Sequence, residues 1–241
     1  MGVLGGAPFA YLAVETSCGP HVTPLLFGAT PDRLWFGIGR GTLKARALAK
    51  RPAVGVVVPG EEVSVAIRGE ATLLDRLPAS LAELARTPFA LPAYASRNVL
   101  ELAAFARDVA RRGAQPQSLA PLSVRIETLD LLDGWPAQAV LGWMAPGGPI
   151  AVPARWDPQT ERARAPAGPF KEAGGSRTAA ACVCIDESEG LGPLAKAGSL
   201  LRGQGRATLR GDLASVALEP KRMTRWKGFQ TQTAAYPKVN A

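Results

Sequence analysis

Apolar and polar positions alternate over short stretches of this chain, and turn residues interrupt them at regular intervals. Residues 11–14, 22–27, 34–38, 54–58 and 63–71 each read as a strand. Cys18-Gly19-Pro20, Thr30-Pro31-Asp32 and Pro59-Gly60 supply turns between them. Evenly spaced strands with little helix predict a β-barrel. One stretch breaks that period. From Asn98 to Ala110 the apolar residues recur at helical spacing, with Ser96 as the expected N-cap and Gly113 and Pro116 as the stop. The expected fold is mainly β with peripheral helices, an α+β chain.

The pattern also repeats. Gly19-Pro20-His21-Val22-Thr23-Pro24 aligns without gaps on Gly148-Pro149-Ile150-Ala151-Val152-Pro153. Gly69-Glu70-Ala71-Thr72-Leu73 aligns on Gly205-Arg206-Ala207-Thr208-Leu209, and Ser123-Val124 through Trp135 on Ser215-Val216 through Trp226. Three matches in one order point to a duplicated β unit, with copy one expected over residues 1–136 and copy two over 137–241. Copy one alone carries the helical insertion, over residues 78–117.

Between the fourth and fifth strands of copy one lies a glycine-rich basic turn, Gly39-Arg40-Gly41-Thr42-Leu43-Lys44-Ala45-Arg46. Glycines at 39 and 41 would let backbone N–H groups converge on an anion, and a following helix would add its dipole. Thr42 offers a hydroxyl, and Lys44 with Arg40 or Arg46 offers charge-assisted hydrogen bonds. The plain alternative is a glycine hairpin with solvated basic residues. Copy two has Ala165 through Arg177 here, with two prolines and a Gly-Gly pair, and is not expected to form the same turn and helix.

Composition narrows the partners. The 241 residues are 47% hydrophobic and 20% charged, ordinary for a globular chain. No apolar run approaches a membrane span, and the first residues lack the basic n-region of a secretory leader. Three cysteines, an odd number, suit a reducing compartment, and a cytoplasmic protein is expected. Cys182 and Cys184 share one strand face and read as buried thiols rather than metal ligands. A net charge of +8 favours anionic partners. Scattered basic residues and few aromatics favour a phosphorylated small molecule, with no nucleic acid or membrane partner. A single histidine, His21, argues against a multi-histidine metal site and against a serine–histidine triad.

Residues 10 to 74 resemble the flavin-binding split β-barrel family typified by pyridoxamine 5'-phosphate oxidase. The likeness is carried by His21-Val22-Thr23-Pro24, Arg33-Leu34-Trp35-Phe36-Gly37-Ile38, Gly41-Thr42-Leu43-Lys44-Ala45, Arg51-Pro52-Ala53-Val54 and Ile67-Arg68-Gly69-Glu70-Ala71. The resemblance implies a homodimer-like arrangement with FMN at the interface. The phosphate would lie on Arg40, Thr42, Leu43 and Lys44, and the isoalloxazine against the backbone of His21, Val22, Thr23, Gly37 and Ile38. Here the second copy would replace the partner subunit, giving two tandem split barrels packed as an intramolecular pseudo-dimer, monomeric or further paired.

Residues 221–227 alternate in charge and read as a solvated face. In a pseudo-dimer they would also lean toward copy one's site, where Trp226 could cover a planar ring and Lys227 an anionic group. His21 reads as a strand residue at the barrel mouth, a flavin-edge contact or an axial haem ligand. No residue stands out as a proton-transfer catalyst, which suits a flavoenzyme acting on a small organic substrate, since the cofactor carries the redox chemistry. A deazaflavin-dependent reductase and a non-catalytic flavin- or haem-binding protein are the alternatives.

Overall fold

The computed structural model describes residues 9–74, 90–112, 119–174, 177–190, 192–228 and 230–237. Its strands form two antiparallel sheets of seven, one from each half of the chain. The first contains β1 (Ala10–Thr16), β2 (Gly19–Leu25), β3 (Phe27–Thr30), β4 (Arg33–Gly39), β5 (Ala53–Val58), β6 (Val63–Leu73) and β7 (Leu119–Asp133). The second contains β8 (Ala139–Ala145), β9 (Gly148–Asp157), β10 (Arg162–Pro166), β11 (Thr178–Asp186), β12 (Ala197–Arg210), β13 (Leu213–Lys227) and β14 (Gln230–Ala235).

The first sheet runs β2-β1-β5-β6-β7-β4-β3, and the second runs β9-β8-β11-β12-β13 with β10 pairing both β9 and β13. Only Leu26 separates β2 from β3, so the two ends of the first sheet are one bent strand. Each sheet therefore curls on itself in the same strand order. These are two tandem split-barrel units.

Equivalent backbone hydrogen bonds support the sequence matches. Ala71 N donates to Pro52 O at 2.8 Å and Ala207 N to Arg177 O at 2.8 Å. Ile126 N donates to Asp32 O, and Leu218 N to Glu161 O, each at 2.9 Å. The units differ in the long hairpin. Its bulge falls between Arg68 and Gly69 in one and between Arg202 and Gly203 in the other, and the second hairpin's far arms are longer by two residues. That offset corrects one expected match. Gly134 N bonds Glu62 O and Gly228 N bonds Lys196 O, so Trp135, after its glycine, is not the counterpart of Trp226, before its own. Trp135 instead lies half-buried under the Arg155 guanidinium, 5.7 Å from the ring centroid.

Each barrel has its own core. Leu12, Phe27, Phe36, Ile38, Val56 and Leu122 fill the first, and Leu141, Trp143, Phe170, Val183 and Val216 fill the second. Phe36 points inward while Trp35 packs outside on Leu74, as strand alternation requires. A third cluster, with Tyr11, Val22, Val57, Val140, Cys182, Cys184 and Leu200, joins the units. The join is reciprocal. Gly19, at φ +92°, would place a Cβ 2.8 Å from Ala180 Cβ of unit two. Gly148, at φ +116°, would place one 2.7 Å from Ala53 Cβ of unit one. Both positions need left-handed backbone and a close approach, so both need glycine.

Helices are few. α1 (Leu43–Leu48) follows β4, and α4 (Gly168–Glu172) follows β10 at the matching place. The second-unit turn therefore does form a helix, contrary to expectation. Pro169 sits in its first turn, where a missing N–H costs nothing. The insertion holds two helices, α2 (Ala90–Arg97) and α3 (Val99–Arg112). Ser96 lies inside α2, its hydroxyl on Ala93 O at 3.3 Å, and is not the N-cap of α3. The expected stop, Gly113 and Pro116, lies outside the described residues.

Candidate functional site

β2 and α1 of unit one face β11, β12 and β13 of unit two across a cavity of about 340 Å³. His21, Thr23, Pro24 and Lys44 form one wall, and Asp186, Leu200, Thr224 and Trp226 the other. The volume lies in the small-ligand range. His21 and Thr23 point the same way because they are two apart on β2. Thr224, Trp226 and Thr231 do so on the facing β13–β14 ribbon. The Trp226 ring lies against Gly198 across the β12–β13 ladder.

Lys44 is the best-placed cation. Its ammonium donates to Thr23 Oγ1 at 3.0 Å, and among the described residues it makes no ion pair. Burial pulls its pKa down to about 8, the Cys184 thiol opposing weakly. Beside it, His21 is pushed down to about 3 by burial and then by the Lys44 and Arg202 charges, so the ring is neutral at physiological pH. His21 Nδ1 is buried with no hydrogen-bond partner. Asp186 is committed elsewhere. Its Oδ2 accepts from the Tyr11 hydroxyl at 2.9 Å, and its Oδ1 accepts from Ser188 N at 2.9 Å.

Sequence reasoning missed Arg202. It lies on β12 two residues after Leu200, is 8% exposed, and donates to Thr224 Oγ1 at 3.1 Å. Its Nε is buried without a partner, and among the described residues no carboxylate pairs with it. The available signal was one basic residue closing the run Ser199-Leu200-Leu201, where a strand face turns inward.

The other expected site residues are distributed differently. Of them, His21, Thr23, Lys44 and Trp226 line the cavity. Val22 is fully buried in the join between units, and Ile38 is in the first barrel's core. Gly37 faces α2, where a Cβ would lie 3.3 Å from the Tyr94 hydroxyl. Arg40 is exposed, and Leu43 is 41% exposed. The Thr42 hydroxyl is spent as an N-cap, donating to Gly39 O at 2.8 Å and accepting from Ala45 N at 3.3 Å. Neither Gly39 nor Gly41 has positive φ, and Thr42 N bonds Gly39 O, so the turn's N–H groups do not converge on an anion. Lys227 lies on the opposite face of β13 from Thr224, with Arg225 in a separate cleft of about 460 Å³.

The donor set fits an anionic group at the Lys44 end and an apolar or planar body along Pro24, Leu200 and Trp226. It offers no cluster of metal-binding side chains among the described residues. No described helix is long and apolar enough to cross a membrane.

No protein-family profile matches the chain, and no curated protein matches it in sequence. Several solved structures are similar to about half of the chain. A Listeria innocua protein assigned as a pyridoxamine 5'-phosphate oxidase is 14% identical, with 54% of this chain and 93% of that one covered at TM-score 0.36. An FAD-binding protein from Mesorhizobium loti is 17% identical, covering 54% and 88% at 0.38. HutZ, the haem storage protein of Vibrio cholerae, is 13% identical, covering 56% and 92% at 0.39.

Proposed function

We propose that the inter-unit cavity binds FMN and that the chain is a flavin-dependent oxidoreductase acting on a small organic substrate. The observation that carries this is Lys44. A half-buried ammonium with one hydroxyl partner and no carboxylate among the described residues is costly to the fold unless an anion completes it. A phosphate beside Lys44 and Thr23 would supply that anion and gain charge-assisted hydrogen bonds. Trp226, Leu200 and Pro24 offer the flat apolar wall that a ring system needs. When bound, flavin supplies the hydride or electron transfer. The chain's own residues bind it, orient it and keep water from its buried end. Both walls come from one chain, so a single chain suffices to form the site.

Purification tests the reading. A yellow protein that binds one FMN per chain on titration supports it. A colourless protein that gains no FMN absorbance change overturns it, as does a Soret band.

A further inference from the structure

Two cations, not one, press on His21, and they come from different units. Lys44 is on α1 of unit one, and Arg202 is on β12 of unit two. Arg202 shares its strand face with Leu200, and its hydrogen-bond partner Thr224 lines the cavity. Around this point the polar inventory does not close. Arg202 Nε and His21 Nδ1 are buried and unpartnered, and neither cation has a carboxylate among the described residues. Burying cationic groups without a counter-charge is among the costlier arrangements a fold can hold.

The matching position in unit one, at the other junction between the units, has a different solution. Its counterpart of Arg202 is Arg68, two residues beyond Ala66 as Arg202 is beyond Leu200. The counterpart of Thr224 is Asp130, which pairs with Ala66 as Thr224 pairs with Leu200. Asp130 feels the Arg68 charge and hydrogen-bonds Glu172 at the end of α4. There, protein carboxylates accompany the arginine. At the first site the matching positions, Thr224 and Ala47, carry no carboxylate, and the arginine is still present.

We propose that Arg202 and Lys44 form a clamp for one doubly charged group, a phosphate monoester, held between the two units with His21 Nδ1 as a third contact. This rests on the cavity being the ligand site. It adds that the bound group is a dianion, and that binding staples unit one to unit two. The cations are retained for the ligand rather than for the fold.

Arg202→Met tests this, because removing an unpaired buried charge and removing a structural contact have opposite effects on the free protein. The expected result is an FMN affinity lower by at least about tenfold and an apo-protein Tm higher by at least about 2 °C. Riboflavin, which lacks the phosphate, should bind wild type and R202M alike. Inorganic phosphate should raise the Tm of wild type but not of R202M, and R202K, keeping the charge, should recover part of that rise. A lower apo Tm with FMN affinity unchanged would overturn the clamp and leave the flavin reading standing. If FMN fails to bind while inorganic phosphate still stabilises wild type and not R202M, the flavin reading falls and the clamp holds. No response of wild type to either anion overturns both.

Discussion

Residues 39–48 and 166–172 occupy the same place in two split-barrel units, and of these residues Lys44 alone lines the cavity between the units. Both run from a strand into a short helix, with Thr42 and Ala167 as the N-caps. Counting from those caps, Lys44 corresponds to Pro169, and Ala45 to Phe170, both of which are buried. On the adjoining strand His21 and Thr23 correspond to Ile150 and Val152, which are fully inside. The two backbones match while the side chains differ. Around the cavity Lys44, His21 and Arg202 have no carboxylate partner among the described residues, whereas the matching positions at the other junction are apolar or accompanied by Asp130 of unit one and Glu172 of unit two. Fold and site are thus separable, and the site is legible as the place where polar groups lack partners.

The comparison breaks most decisively at Lys44. Lys44→Met should weaken FMN binding by about ten- to a hundredfold, the range for a lost charge-assisted hydrogen bond. It should also raise the Tm of the free protein, because the half-buried ammonium has no counter-charge among the described residues. Fluorescence titration and thermal melts measure the two effects. Unchanged affinity would make the two copies equivalent and end the argument for one site.

The same lysine predicts a pH dependence of about tenfold per unit. With its pKa near 8, the ammonium loses its proton above pH 8, and FMN affinity should fall from there upward. The unfolded chain keeps that proton until its ordinary value of 10.5, so it binds more protons than the fold between about 8 and 10.5. Apo stability should therefore rise over the window in which affinity falls. Lys44→Met should abolish both slopes.

Much of this was readable from the chain, for identifiable reasons. The duplication was visible because Gly19 and Gly148 face reciprocal close contacts, and no other residue fits there. Lys44 was visible because it follows a strand and a glycine turn. Arg202 was not, because a lone arginine after Leu200-Leu201 reads as a strand end, and only the packed interface reveals that it has no counter-ion. Thr42 was assigned to a ligand because its sequence does not say that its hydroxyl caps α1. Gly37 was expected against a flavin ring, but α2, arriving from an insertion far along the chain, brings Tyr94 there. For Arg202 and Gly37 a distant contact decided what a local pattern left open, and for Thr42 the local cap did.

Smaller effects sharpen the contrast. His21 stays neutral in the fold down to about pH 3, while the unfolded chain takes up its proton near 6.5. Stability should therefore fall as pH drops from 6.5 toward 3, by at most about 1.4 kcal/mol per unit, and His21→Gln should flatten that slope in acid melts. Asp130 behaves in the opposite sense. Burial and then the Glu172 carboxylate raise its pKa, so the fold holds its proton more tightly than the unfolded chain does. That contribution is present at low pH and lost as pH rises through the raised value, and Asp130→Asn should remove it.

The smallest effect is expected at Lys171, where the second copy offers its own lysine. Its ammonium donates to Gly211 O at 2.8 Å and lies 3.9 Å from an Asp212 carboxylate, half-exposed on the outside of the barrel. An exposed pair of this kind is screened and contributes little. Lys171→Ala should leave FMN affinity within about twofold and Tm within about 2 °C. The two lysines have the same charge and belong to matching helices, so the difference between their variants isolates position. Lys44 points into the join with no acid to meet it, and Lys171 points away from the join with its partners already in place. Equal losses at both would mean that net positive charge, not the geometry of one inter-unit cavity, draws the ligand.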